Sequence, residues 1–147
     1  MKRILLLFLA MTLVVLSSCG DRRGGEQPMY TKLSELDPLS AEMSEEILSA
    51  ANKYYYGDDT EKYDLEIKYY LGQYLDAYVV CVEGNWGYIP MPDVAKLGDE
   101  YISIDNEGEL FVYKDGVCLE IREAYKQDFI DDNHVKQIKL LWENRTK

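Results

Sequence analysis

Histidine is nearly absent from this chain: His134 is the only one in 147 residues. No metal-ligand spacing surrounds it, and its neighbours Asp131, Asp132 and Asn133 read as a helix cap, so His134 is expected to be a surface capping residue. A cysteine nucleophile needs a base, and neither Cys81 nor Cys118 has a histidine near it in sequence, which leaves only His134 to approach in space. No Gly-rich phosphate loop, Walker motif or nucleophile elbow is present. Asp105-Asn106-Glu107-Gly108-Glu109 has the acidity of a calcium loop, but Leu110 occupies the position where that loop requires glycine. Basic residues are few, 16 against 27 acidic, giving a net charge of −11. Such a surface repels nucleic acid and anionic lipid headgroups, which excludes DNA or RNA as a partner and leaves cationic proteins, peptides or metal ions as better matches by charge. Solubility alone also accounts for a negative surface. With 27 carboxylates, no particular pair stands out as a hydrolytic acid and base. There are no repeats and no low-complexity tract.

What is there begins with an address. Lys2 and Arg3 precede an uncharged apolar run from Ile4 to Leu16, followed by Ser17, Ser18 and Cys19. That is the layout of a secretory signal, and the run is short for a membrane span. Leu16-Ser17-Ser18-Cys19 resembles the lipobox of bacterial lipoproteins. The resemblance implies cleavage before Cys19 and acylation of that residue, palmitate included. Two or three acyl chains would hold the domain on a membrane. An ordinary signal peptide with a chance cysteine is the alternative. The residue after Cys19 is Gly20 rather than Asp, which in two-membrane bacteria would not favour retention at the inner membrane. Residues 1–18 are thus expected to be a lipoprotein signal peptide, and residues 19–29 a lipidated cysteine with a flexible, Gly-containing tether. Removing residues 1–18 takes away Lys2 and Arg3 and no acid, leaving 14 basic and 27 acidic residues and a net charge of −13.

Residues 30–147 suffice for one compact domain and not two. Tyrosine is abundant, with 13 copies, and suits both half-buried sheets and contact surfaces. Cys81 and Cys118 form an even pair in a chain read as exported, which invites a disulfide; the alternative is two small buried thiols in strands.

Asp37-Pro38 signals the start of a helix running to Gly57, with Met43, Ile47, Ala50, Ala51 and Tyr54 on its inner face. Leu65 to Leu71 alternates, placing Leu65, Ile67, Tyr69 and Leu71 on one face of a strand. A turn spans Gly72 to Asp76, and Ala77 to Glu83 is a continuous apolar run, as in a central strand covered on both faces. Gly84 to Asp99 breaks the pattern with three Gly and two Pro, and carries Trp86 and Tyr88. A loop of this length is often functional, so Trp86 and Tyr88 are the candidate partner contacts; Trp86 folding back as a lid over the sheet is the competing reading. Tyr101 to Ile104 is a strand. Asp115-Gly116 joins two strands in a tight hairpin with Tyr113 opposite Cys118, Val112 opposite Leu119 and Leu110 opposite Ile121. One hairpin face holds Leu110, Val112, Leu119 and Ile121; the other holds Phe111, Tyr113, Cys118 and Glu120. A short helix from Arg122 to Gln127 follows, Phe129-Ile130 plugs the core, and Asp131 or Asp132 caps a last helix with Val135, Ile138 and Trp142 inside.

Three stretches, KYYLGQYLDAYVVCVEG, LFVYKDG and LEIREAYKQDFIDDNHVKQI, resemble in order an uncharacterised family of small exported bacterial domains. The matching positions are Tyr69, Tyr70, Tyr78 to Val82, Val112 to Gly116, Glu123 to Tyr125, Phe129 and Ile130, within about residues 65–140. Leu75-Asp76-Ala77 replaces a tighter Asn-Gly-like turn, and Asp128 stands where the family pattern has the glycine that ends its Glu-Ala-Tyr helix. The resemblance supports the order of elements and implies no activity.

The expected fold is α+β: an antiparallel sheet of about four to five strands with an N-terminal helix and a C-terminal helical pair. The expected function is a membrane-anchored binding or interaction module of the cell envelope, not an enzyme, without cofactor or bound metal, engaging a protein or peptide partner and no nucleic acid. The alternative is an inhibitor or immunity-type lipoprotein that neutralises a basic enzyme or toxin by charge.

Overall fold

A computed structural model describes residues 29–57, 64–85 and 91–147. A 3-10 turn at Leu33–Glu35 precedes helix α1 (Ala41–Tyr56). Strands β1 (Leu65–Tyr74), β2 (Ala77–Gly84), β3 (Asp93–Leu97), β4 (Glu100–Ile104), β5 (Glu109–Lys114) and β6 (Val117–Glu120) follow, and helices α2 (Ile121–Lys126) and α3 (Asp132–Glu143) close the chain. Four strands form an antiparallel sheet in the order β1-β2-β5-β6, and β3 pairs with β4 in a separate hairpin. The architecture is α+β, as expected.

The sheet is covered on both faces. Ile47 and Ala51 of α1 pack with Val80, Val82, Phe111, Tyr113 and Cys118 on one side. On the other, Val79, Cys81, Leu110 and Val112 meet α2, α3 and the β3–β4 hairpin through Ile121, Ala124, Ile138, Trp142, Leu97 and Ile102. The buried run in β2 follows from this, because alternate residues serve two cores.

Several local features differ from the expectations, each for a definable reason. Helix α1 starts at Ala41 because Ser40, not Asp37, caps it, with Ser40 Oγ accepting from the Met43 N–H at 3.1 Å. Its inner face is led by Ile47 and Ala51, while Tyr54 is 44% exposed, its ring edge-on to Phe111. In β1 the expected single face is split. Lys68 is an extra residue between the pairs Ile67–Val82 and Tyr69–Cys81. This bulge reverses the alternation, so Leu65 and Ile67 pack with the α1 core and Tyr69 and Leu71 with the other. The β1–β2 turn narrows to Leu75-Asp76, with Leu75 at φ 56°. Tyr113–Cys118, Val112–Leu119 and Phe111–Glu120 pair in the β5–β6 hairpin in the expected register, but Ile121 opens α2 instead of facing Leu110.

Helix α2 ends at Lys126, and Asp128 just beyond it adopts the left-handed conformation, φ 59°. The Phe129 N–H bonds to the Ala124 carbonyl at 2.9 Å and the Asp128 N–H to that of Tyr125 at 3.2 Å, closing the helix end. Asp131 then caps α3.

The expected disulfide does not form. Both cysteines are free and buried. Cys81 lies opposite Leu110 and Cys118 opposite Tyr113, and these partners are on opposite faces of the sheet. Strands β2 and β6 are also separated by β5. Bridging needs Cβ atoms that point toward each other, which a sheet between them forbids.

Candidate functional site

The segment read as a patternless loop contains a strand. Asp93–Leu97 pairs with Glu100–Ile104 from Asp93 opposite Ile104 to Leu97 opposite Glu100. Gly98 makes the turn at φ 63° and sits against the α2–α3 junction, where Tyr125 Oη donates to Asp132 Oδ1 at 2.5 Å. That bond, with the negative charge beside it, pushes the Tyr125 hydroxyl pKa above its ordinary value. The hairpin alternates as a half-buried ribbon must: Ala95, Leu97 and Ile102 enter the core, and Val94, Lys96, Tyr101 and Ser103 face outward. Val94 and Tyr101 are each 54% exposed and Met91 is 81% exposed. Lys96 lies over the Tyr101 ring, 5.7 Å from its centroid.

At the open end of the hairpin, a groove of about 380 Å³ lies between the ribbon and the C-terminal end of α3. Pro92, Val94, Ile104 and Trp142 supply its apolar lining. Trp142 is fixed by donating its indole N–H to the Ser103 carbonyl at 2.6 Å. Asp93, Asp105 and Glu143 bring carboxylates to the same groove. Asp93 is bonded to Arg122, which also holds Glu120 at 3.0 Å. Asp105 is bonded to Arg145, whose Nε donates to Glu107 at 3.0 Å and whose guanidinium lies 3.7 Å from the Trp142 ring centroid. The Arg145 bond holds the Glu107 carboxyl below the usual range. Glu143 differs. Among the described residues it has no hydrogen bond or ion pair, and it occupies the last turn of α3, where the helix dipole disfavours an anion.

The residues singled out by sequence fall as follows. Cys19, Trp86 and Tyr88 lie outside the described residues. Pro92 of the groove follows the Trp86 and Tyr88 segment closely in the chain. Burial pushes both the Cys81 and Cys118 thiols up to about 12, so neither is activated as a nucleophile near neutrality. His134 acts in a capping box: its N–H bonds to Asp131 Oδ1 at 2.9 Å, its Nδ1 accepts from the Asp131 N–H at 3.3 Å, and its ring packs beside Tyr74. Among the described residues no three His, Cys, Asp or Glu side chains converge as metal ligands. Val94, Tyr101, Met91 and Glu143 were not singled out by sequence reasoning. The available signal was Ala95 and Leu97 alternating with Lys96 before the Gly98-Asp99 turn. Comparison with known proteins finds no matching family model, no matching curated protein and no matching solved structure.

Proposed function

We propose that this protein is a membrane-anchored lipoprotein of the cell envelope whose α+β domain is a binding module rather than an enzyme. The Leu16-Ser17-Ser18-Cys19 motif supports the anchor on Cys19. The observation that carries the binding reading is the outward face of the β3–β4 hairpin. Val94 and Tyr101 expose apolar surface there, Met91 exposes more just before β3, and Val94 also lines a groove carrying three carboxylates. Solvated apolar side chains next to a concave, mixed-polarity groove are the usual makings of a contact site. Trp86 and Tyr88, which precede Pro92 closely in sequence, are the further partner contacts that this reading expects.

A second reading, an inhibitor or immunity-type lipoprotein that neutralises a basic protein, draws support from the net charge of −11 and from Glu143, which has no polar partner among the described residues. Pull-down from the native envelope at low and high salt tests both. Wild type should retain a discrete partner that Val94→Lys, Tyr101→Ala and Trp86→Ala each release. Loss of that partner at high salt favours the inhibitor reading, and retention favours the general module. A partner held equally by all three variants would overturn the surface assignment. For the anchor, Cys19→Ala should move the protein from the membrane to the soluble fraction, and unchanged fractionation would overturn it.

A further inference from the structure

We propose that the groove between the β3–β4 hairpin and the C-terminal end of α3 receives a basic side chain from a cationic peptide segment of the partner. The inference rests on the binding-module reading and specifies its ligand. Its basis is the match between the lining and the two ends of a lysine. A lysine carries an aliphatic stem that favours apolar contact and a head that favours carboxylate. Val94, Ile104 and Trp142 offer the first, and Asp93, Asp105 and Glu143 the second, with Arg145 also in the lining. The protein's own cations in this region are already engaged. Arg122 holds Asp93 and Glu120, and Arg145 holds Asp105 and Glu107. Each of those carboxylates keeps further acceptor capacity, since an ionised carboxylate has about four lone-pair sites.

Glu143 is exposed, has no polar partner among the described residues, and sits at the helix end where the dipole disfavours a carboxylate. A cation arriving in the groove would relieve that placement. An anionic occupant would meet Glu143 with no cation paired to it among the described residues, and a purely apolar one would leave that carboxylate without compensation. The volume of about 380 Å³ accommodates a side chain with part of its neighbours, not a folded surface.

The test uses the full chain in non-ionic detergent, so that lipid charge contributes nothing, and the blocked peptide Gly-Leu-Lys-Gly as probe. Its twins carry norleucine or Glu in place of Lys. Calorimetric titration at low salt should give saturable binding of the Lys peptide, about tenfold tighter than the norleucine twin, and none of the Glu twin. Glu143→Gln should weaken the Lys peptide about threefold to fivefold, as removal of one partly exposed charge does. Val94→Lys, which places a like charge at the groove, should weaken it further. Glu45→Gln, on exposed α1 across the sheet, should change nothing. Equal affinity for the norleucine twin, an unaffected Glu143→Gln, or equal weakening by Glu45→Gln would each overturn the proposal, as would no binding at millimolar peptide. If the peptide fails while Val94→Lys and Tyr101→Ala still release the envelope partner, the groove assignment falls and the binding module stands. If those two variants release nothing, the underlying reading falls as well.

Discussion

Replacing Gly98 with alanine should destabilise the fold through one identifiable contact. A Cβ at this position would lie 2.6 Å from Tyr125 Oη and 2.8 Å from Asp132 Oδ1, in a residue whose φ is 63°. Two costs follow. The left-handed backbone costs an L-residue about 1–2 kcal/mol. Displacing Tyr125 also breaks its bond to Asp132. Gly98→Ala should therefore cost more than the backbone contribution of about 1–2 kcal/mol, and Tyr125→Phe should destabilise by itself. The double variant should cost less than the two single costs together, because the hydroxyl that meets the new Cβ is gone and its bond is already lost, leaving only Asp132 Oδ1 against the Cβ. Urea unfolding of the four proteins reads this shortfall as a coupling, provided the denaturant slope is unchanged. Costs that add to within about 0.5 kcal/mol would show that the hairpin tip does not rest on the Tyr125–Asp132 pair. The same displacement would tilt the ribbon that carries Val94 and Tyr101, so Gly98→Ala should also weaken partner retention.

Three further outcomes follow from the geometry. Peptide mapping of the native protein should find Cys81 and Cys118 unbridged and slow to alkylate at pH 8, with fast labelling only after unfolding; a Cys81–Cys118 bridge would contradict their placement on opposite faces. Leu75 is 76% exposed at φ 56°, so Leu75→Asn should relieve backbone strain and raise stability by about 1 kcal/mol, measured as a higher urea midpoint; a lower midpoint would refute the strain. Glu107 titrates below its ordinary value because of Arg145, so its stabilisation is fully present above the unfolded pKa of about 4.3 and is lost as pH falls through the depressed folded value. The stability gap between wild type and Glu107→Gln should close as pH is lowered from 7 toward 3, and a constant gap would mean that the Glu107–Arg145 pair does not form.

Much of this fold was legible because its signals are local. Asp115-Gly116 fixes a two-residue hairpin and with it the pairing of Tyr113 with Cys118, and Asp131 announces α3. What was hidden depends on distant partners. The bulge at Lys68 follows from pairing to β2, and strict alternation read from β1 alone cannot reveal it. Cys81 could not be assigned a face, because β2 pairs with β5 across a connection that contains a whole hairpin, and no turn sets that register. Strand β3 was concealed by the Pro and Gly around it. The groove joins Val94 to Trp142 and Glu143, residues of β3 and α3 that only the packed structure brings together.

Site-specific photo-crosslinking in living cells tests the central claim most directly. A photoreactive residue is placed at Val94, at Tyr101, and at Ser49, which is exposed on α1 on the opposite side of the sheet. If the hairpin face is the binding surface of an envelope-anchored module, positions 94 and 101 should yield the same discrete adduct in the membrane fraction and position 49 none. No adduct from either hairpin position, or an equal adduct from position 49, would contradict it.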